Sequence, residues 1–368
     1  MSHRLCLRFF AHSWRSDWNH GNAHFLRGLA DELRKAGHEV RCYEPADGWS
    51  FVNLLEEHSA ACSLHRFRST FSDLDVRVFT PGSISFLESE LKDAQVVVIH
   101  EWNSVELSEQ ILSLRKRYGF RLLFHDTHHR SYTAPEEIAR FRIPEFDGVL
   151  AFGESIRRIY VEVFSATRAW TFHEAADTAR FFPYNDRRGM EVSWIGNWGD
   201  EERTRELEEF LIEPLMALRP VEAAVYGVRY PKAAQDQLRR AGIEYRGYLP
   251  NLLAPSVYAR TALTLHIPRR CYANGLGGIP TIRMFEAFAC GVPLICSPWN
   301  DLEGLFRPNQ DFLTVADGKA MQAAIAHLLE DGRARQQLSQ SALSTIRAKH
   351  TCWHRAREFE QICEELDR

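Results

Sequence analysis

Arg283 and Glu286 lie three residues apart in a stretch running Gly277-Gly278-Ile279-Pro280-Thr281-Ile282-Arg283-Met284-Phe285-Glu286-Ala287-Phe288-Ala289-Cys290-Gly291-Val292-Pro293-Leu294-Ile295-Cys296. That spacing puts a cation and a carboxylate on one face of a helix. The cation can meet a phosphate and the carboxylate can accept from ribose hydroxyls, which would hold a nucleotide. On spacing alone the pair equally suits a surface ion pair worth roughly a few tenths of a kcal/mol. The flanking residues frame a helix: Pro280 suits a first turn, Gly291 a left-handed stop, and Pro293 forbids continuation. Gly277 and Gly278 permit close approach of a ligand to the backbone, next to helix N–H groups suited to an anion.

A second group of reactive residues follows apolar runs in the first half. Gln95 to Ile99 reads as a buried strand that ends in His100-Glu101, and Arg121 to Phe124 as another that ends in His125-Asp126-Thr127-His128-His129. Two strands thus deliver His–acid pairs to one sheet edge, where parallel sheets build their sites. His125 is the leading catalytic candidate, and Asp126 suits a cap on the loop behind it. Asp17 and His20, in the polar loop Ser13 to Asn22, are alternative proton acceptors. His125, His128 and His129 could also be read as metal ligands, but no matching acidic set accompanies them, so no metal is expected.

The elements that must position these residues alternate. Leu5 to Ala11 and Val40 to Tyr43 read as strands around a helix from Ala23 to Ala36, a βαβ unit without the Gly-x-Gly-x-x-Gly of dinucleotide binders. Phe51 to Phe71 has helical spacing; Asp75 to Phe79 and Val149 to Phe152 add strands, and Val105 to Arg117 a helix. The alternation pauses between Thr171 and Arg188, with Pro183, Asn185 and Asp186 marking loop. It resumes with a strand from Val192 that ends in Gly196-Asn197-Trp198-Gly199-Asp200, then a helix from Glu202 to Leu218. Further strands are expected at Ala223 to Tyr226, Leu263 to Ile267 and Asp311 to Val315, and helices at Lys319 to Leu329, Ala334 to Lys349 and Trp353 to Leu366.

The bulk properties narrow the class. A chain of 368 residues exceeds what one core usually fills. A net charge of −4 without a basic run argues against a duplex nucleic-acid binder. Eight cysteines without Cys-x-x-Cys suit buried thiols in a reducing compartment. No transmembrane stretch is expected, Arg4 and Arg8 interrupt any signal peptide, and the expected location is cytoplasmic.

The segment Arg283 to Leu294 resembles the nucleotide-sugar segment of GT-B glycosyltransferases, which carry Glu-Ala-x-Ala-x-Gly-x-Pro. With Ile279-Pro280-Thr281 before it, the resemblance is closest to the CgeB-type (spore-maturation-protein-like) branch. Ile195 to Asp200 is similar to that family's first glycine loop, Gly247-Tyr248-Leu249-Pro250 to its base-reading turn, and His350-Thr351 with Arg355 to its C-terminal pattern. The related group 1 enzymes carry a second Glu eight residues before the first; Gly278 stands there in this chain. The resemblance implies an α/β protein of GT-B architecture, two Rossmann-like domains with parallel sheets facing a cleft. The domains expected are an acceptor-side domain over 1–180, a nucleotide-sugar domain over 181–350 and a terminal helix over 351–368 that crosses back to the first.

The implied activity is metal-independent transfer of a sugar from a nucleoside diphosphate sugar to an unidentified acceptor (glycan, small molecule or protein), with no cofactor. The donor side would use Gly21, Asn197, Tyr248, Leu249, Arg269, Gly277, Gly278, Thr281, Arg283 and Glu286. Arg269, Arg270 and Arg283 are the candidates to meet the leaving diphosphate, and His125 resembles the His beside the transferred sugar in group 1 enzymes. Two other functions fit the same architecture: a sugar-nucleotide 2-epimerase, and a non-catalytic binding module.

Overall fold

The computed structural model describes residues 4–184, 189–199 and 203–367. Asn185, Asp186, Arg188, Asp200 and Glu202, named above as loop markers and element ends, lie outside the described residues. The chain divides into two compact units, one made of residues 1–174 with 352–368, the other of residues 175–351.

Unit 1 is built on seven parallel strands: β1 (Cys6–Phe10), β2 (Glu39–Pro45), β3 (Asp75–Phe79), β4 (Val96–His100), β5 (Arg121–Asp126), β6 (Gly148–Ala151) and β7 (Ala169–Thr171). Their order is β3-β2-β1-β4-β5-β6-β7. β4 is buried at every residue, as expected of a central parallel strand covered by helices on both faces. His100 at the end of β4 is in register with His125 of β5. The order reverses between β1 and β4, so the loops after these strands flank the crevice where doubly wound sheets bind ligands. The helix Ala23–Lys35 leads from the first loop back to β2. The terminal helix Cys352–Leu366 completes this unit: Phe359 packs on Phe9 (ring centroids 5.5 Å), and Glu360 bonds His38 Nε2 at 2.8 Å.

Unit 2 repeats the plan with β8 (Met190–Ile195), β9 (Ala223–Tyr226), β10 (Glu244–Tyr245), β11 (Thr261–His266), β12 (Leu294–Cys296) and β13 (Leu313–Thr314), in the order β10-β9-β8-β11-β12-β13. Here the order reverses between β8 and β11. Both sheets have only parallel pairs, the doubly wound architecture that the alternation predicts.

The differences from expectation are local. The helix expected to reach Leu218 runs over Thr204–Ala217, and its middle, Glu208–Ile212, has π geometry. Pro214 has no N–H for the carbonyl four residues back and its ring crowds that turn, so the helix widens there. Phe51 to Phe71 is two helices, Trp49–Leu55 and Ala60–Thr70. The helices Ile84–Leu91 and Arg270–Asn274 and the strands β7 and β10 are too short to show a period.

Candidate functional site

In unit 2 the helix Ile282–Ala289 is nearly all buried: its apolar residues cover most of its surface, and Glu286 is buried with them while Arg283 is not. Gly277 and Gly278 precede it. Gly278 adopts φ +89°, a region that side chains resist, and its N–H donates to Asn300 O at 2.9 Å. A Cβ on Gly277 would lie 2.6 Å from Leu302 Cδ1. The backbone therefore requires glycine at 278, where a glutamate would be strained, whereas at 277 the crowding is against the exposed Leu302 side chain, which can move aside. Thr281 enters the helix in extended geometry without capping it with its side chain. Its hydroxyl lies 3.1 Å from His266 Nε2, and His266 Nδ1 lies 3.1 Å from Cys296 Sγ. Burial pushes His266 down to about 3, so that imidazole is neutral.

Glu286 has no exposed surface, which rules out the surface-pair reading of this residue. Oε1 accepts from Asn251 Nδ2 at 2.6 Å, and Oε2 pairs with Arg283, whose side chain keeps 28% of its exposure. Asn251 stands two residues after Leu249 and gave no signal in the sequence. The carboxylate is thus fixed by two partners rather than left to find one.

The loops after β8, β9 and β10 are packed backbone to backbone. A Cβ on Gly227 would sit 2.1 Å from Gly196 O, and Gly227 N–H donates to Gly247 O at 2.8 Å. Asn197 uses its side-chain carbonyl on Val228 N–H at 2.8 Å, so its fixed role is to hold two loops together. Tyr248 and Leu249 follow Gly247 (φ +69°) and are half-buried. Arg269 precedes the short helix Arg270–Asn274, while Arg270 pairs with Glu206 at 2.8 Å. Arg203, which sequence reasoning passed over, is the buried cation at the β8/β11 switch point. Its guanidinium donates to Ile267 O at 3.1 Å and to Asn197 O, and lies 5.3 Å from the Trp194 ring centre. A cavity of about 940 Å³ opens beyond β11, β12 and β13, lined among others by Pro268, Arg270, Ser297, Asn300 and Leu302. It is large enough for a nucleotide or sugar nucleotide.

Unit 1 gathers histidines rather than glycines. His12 follows β1, His20 precedes the helix Ala23–Lys35, His100 ends β4, and His125 lies within β5 rather than after it. Ring centroids are 4.0 Å apart for His12–His20, 6.2 Å for His20–His100 and 5.5 Å for His100–His125. All four are buried. Two of the three catalytic candidates, His20 and His125, thus share one cluster, with His100 between them; His125 also packs on Phe25 and Phe172. The Asp17 carboxylate is held at 3.0 Å by the buried Arg27, and its main-chain carbonyl accepts from His20 N–H at 3.1 Å. Gly21 is half-buried beside Asn22, whose amide reaches Thr127 O at 3.2 Å and so ties the first loop to the loop after β5. Asp126 accepts from His128 N–H at 2.8 Å and from Tyr160 OH at 2.6 Å, capping the loop. His129 turns to Thr133 Oγ1 at 2.8 Å. Among the described residues no group of three or more His, Cys, Asp or Glu is arranged to hold a metal ion.

Burial sets the charges here. It holds His12, His20 and His125 well below the usual histidine range and His100 at about 3. It raises Glu101 to about 8 and, with the Glu101 charge, Asp126 to about 7. His100 Nδ1 and Glu101 Oε2, 2.8 Å apart, therefore form a neutral pair with the proton on the carboxyl. The imidazoles are therefore neutral, each with a ring nitrogen able to accept a hydrogen bond.

A linkage prediction follows for Glu101. Between the unfolded value near 4.5 and the folded value near 8 the native state holds the extra proton. Stability is complete below that window and falls by about 1.4 kcal/mol per pH unit across it. Glu101→Gln removes this titration. Melting curves from pH 5 to 9 should show the variant gaining on the parent up to pH ~8 and then running parallel. A constant difference across the range would mean that Glu101 is ionised in the fold.

The comparisons with known proteins agree with this geometry. A family model described as "Glycosyl transferase-like" matches residues 203–361, which is unit 2 beyond β8 and the first two thirds of the terminal helix. No curated protein sequence matches. Among solved structures, Anabaena HepE in complex with UDP and glucose is similar over 98% of this chain and 100% of its own, with TM-score 0.70 and 13% identity. A glycosyltransferase from Rickettsia africae matches over 99% of both chains, with TM-score 0.70 and 11% identity. The sucrose-phosphate synthase of Thermosynechococcus elongatus matches over 99% of both, with TM-score 0.67 and 13% identity. The fold is GT-B. In GT-B terms unit 1 is the N-terminal and unit 2 the C-terminal Rossmann-like domain, and the Gly277-Gly278 stretch leads into the helix Ile282–Ala289 of the latter. No helix among the described residues is long and apolar enough to cross a membrane.

Proposed function

We propose that the chain transfers a sugar from a nucleoside diphosphate sugar to an acceptor hydroxyl, without a metal ion or other cofactor. The observation that carries this reading is the buried Glu286, held by Arg283 and Asn251 on the helix that follows the Gly277-Gly278 turn. A fixed carboxylate beside a glycine turn and a helix N-terminus suits ribose on one side and diphosphate on the other. The "Glycosyl transferase-like" match over the same segment supports it, and UDP, bound in HepE, is the first nucleotide to test. Within that reading, the Ile279-Pro280-Thr281 lead favours the CgeB-type branch.

In the reaction the acceptor oxygen bonds to the sugar C1, the bond from C1 to the diphosphate oxygen breaks, and the hydroxyl proton passes to a neutral imidazole. Unit 2 holds the donor: Glu286 the ribose, the turn after Gly247 with Tyr248 and Leu249 the base, and Arg283, Arg269 and the helix N-terminus at Thr281 the departing charge. Unit 1 supplies the proton acceptor. We assign that role to His20 rather than Asp17, because the Asp17 carboxylate is already held by the Arg27 guanidinium at 3.0 Å. His125 is assigned to the transferred sugar.

Glu286→Gln tests the donor half. The change leaves shape and Asn251 within reach but removes a charge-assisted acceptor worth about 1.5–3 kcal/mol. UDP affinity measured by calorimetry should fall about tenfold to a hundredfold, equivalent to that energy. Unchanged affinity in a folded variant would leave Glu286 as a core ion-pair partner and remove the reading's main support.

A further inference from the structure

Thr127 stands directly after β5, two residues beyond His125, and its buried hydroxyl is used in full. A hydroxyl has one hydrogen to donate and two lone pairs. Here the lone pairs accept from His100 Nε2–H at 2.9 Å and from the Asn22 amide, while the O–H donates to Glu101 Oε1 at 3.4 Å. The direction of the first bond is set at the other side of the imidazole. His100 Nδ1 accepts from Trp102 N–H at 3.4 Å and faces the protonated Glu101 carboxyl at 2.8 Å. Both neighbours of Nδ1 donate, so the proton of the neutral ring is on Nε2. His100, Glu101 and Thr127 thus close a ring of hydrogen bonds, and Asn22 is fastened to it from the first loop.

We infer that Thr127 is the positioning residue of the histidine cluster. Through Asn22 it holds the loop that carries His20 against the end of β5 that carries His125, and through His100 it fixes the ring between them. As a part of sugar transfer this rests on the transferase reading; as a tie between the loops it does not. The first loop needs such a bond. Ser13, Trp14 and Arg15 bond to Glu44 of β2, and Ser16 to Ser50 O, all on the β2 side of β1. Asn22 instead reaches the β5 side, donating to Thr127 O at 3.2 Å as well as to the hydroxyl. His20 cannot make that tie itself: its N–H stays on Asp17 within the loop, and its buried Nε2 has no partner. A displacement of about an ångström between reacting groups is enough to cost about a hundredfold in rate, so a bond that sets their spacing has kinetic weight.

The test uses the full chain with isotope-labelled histidine, and long-range nitrogen–proton NMR reads the tautomer of each imidazole. His100 should be in a single Nε2–H form in the parent. Thr127→Ser keeps the hydroxyl and should keep that form and the His20 signals. Thr127→Val keeps the shape without the hydroxyl; His100 should lose its fixed form and the His20 signals should move. Asn22→Ala should move the His20 signals while His100 stays in its single form, a split that general loosening of the fold would not produce. In transfer, measured with the donor the chain consumes, Thr127→Val and Asn22→Ala should lower kcat about tenfold to a hundredfold with donor KM within about twofold, and Thr127→Ser should stay near the parent. Asn22→Ala carries the test if Thr127→Val does not melt cooperatively. The inference is overturned if the parent His100 holds its proton on Nδ1, or if the His20 signals stay in place in Asn22→Ala. It is equally overturned if Thr127→Ser is as impaired as Thr127→Val, which would make the methyl group the cause. A parent that consumes no donor sinks the transferase reading, and the NMR arm still decides the tie; moved His20 signals with kcat unchanged sink this inference only.

Discussion

His125→Ala is expected to lower the rate of sugar transfer by about 10²–10⁴-fold while leaving affinity for the donor nucleotide nearly unchanged. The division follows from position. His125 belongs to β5 of unit 1, whereas the groups assigned to the nucleotide, Gly21 apart, belong to unit 2. Its ring is buried against His100, Phe25 and Phe172, so truncation also leaves a cavity and lowers stability by a few kcal/mol, about 2–4. His125→Phe separates the two effects, since it fills the space without restoring the imidazole. If His125→Phe transfers sugar at near the parent rate, the imidazole has no part in the reaction. His20→Ala and Asp17→Asn complete the comparison. The first should abolish proton transfer. The second should mainly destabilise, because it leaves the buried Arg27 without its carboxylate.

Arg203→Ala should cost unit 2 about 3–5 kcal/mol and weaken nucleotide binding with it. The guanidinium ties the loop after β8 to the end of β11 through the carbonyls of Asn197 and Ile267, and removing it leaves those buried oxygens without their donors. Arg203→Lys keeps the charge but cannot span both carbonyls with a planar fork, so it should recover only part of the loss. Urea unfolding and UDP calorimetry on the same samples read both quantities. A loss below ~1 kcal/mol in Arg203→Ala would mean that the loops are held by Asn197 and the glycine contacts alone.

Much of this architecture is legible in sequence because its signals are local and periodic. β4 and β5 announce themselves as apolar runs, and the helix Ile282–Ala289 is framed by Pro280 and Gly291. The pairing of Arg283 with Glu286 is also local, but its burial is not: three-residue spacing cannot tell a surface pair from one held in the core by Asn251, 35 residues away. Arg203 was passed over for the same reason, since its partners come from different strands. His12 has no local signal in the sequence; only the packing of His20 and Trp49 against it makes it notable. Asp17 and His20 share one loop and one apparent chemistry, and it is Arg27, ten residues on, that separates them.

The most direct test of the central claim is to supply the purified chain with a panel of nucleoside diphosphate sugars and a mixture of candidate acceptors in EDTA, and to follow both by mass spectrometry. The account predicts that one donor is consumed, that free nucleoside diphosphate appears, and that an acceptor gains the mass of one sugar residue. A donor that binds but is never consumed, or one returned as an epimer with no nucleoside diphosphate released, would contradict it.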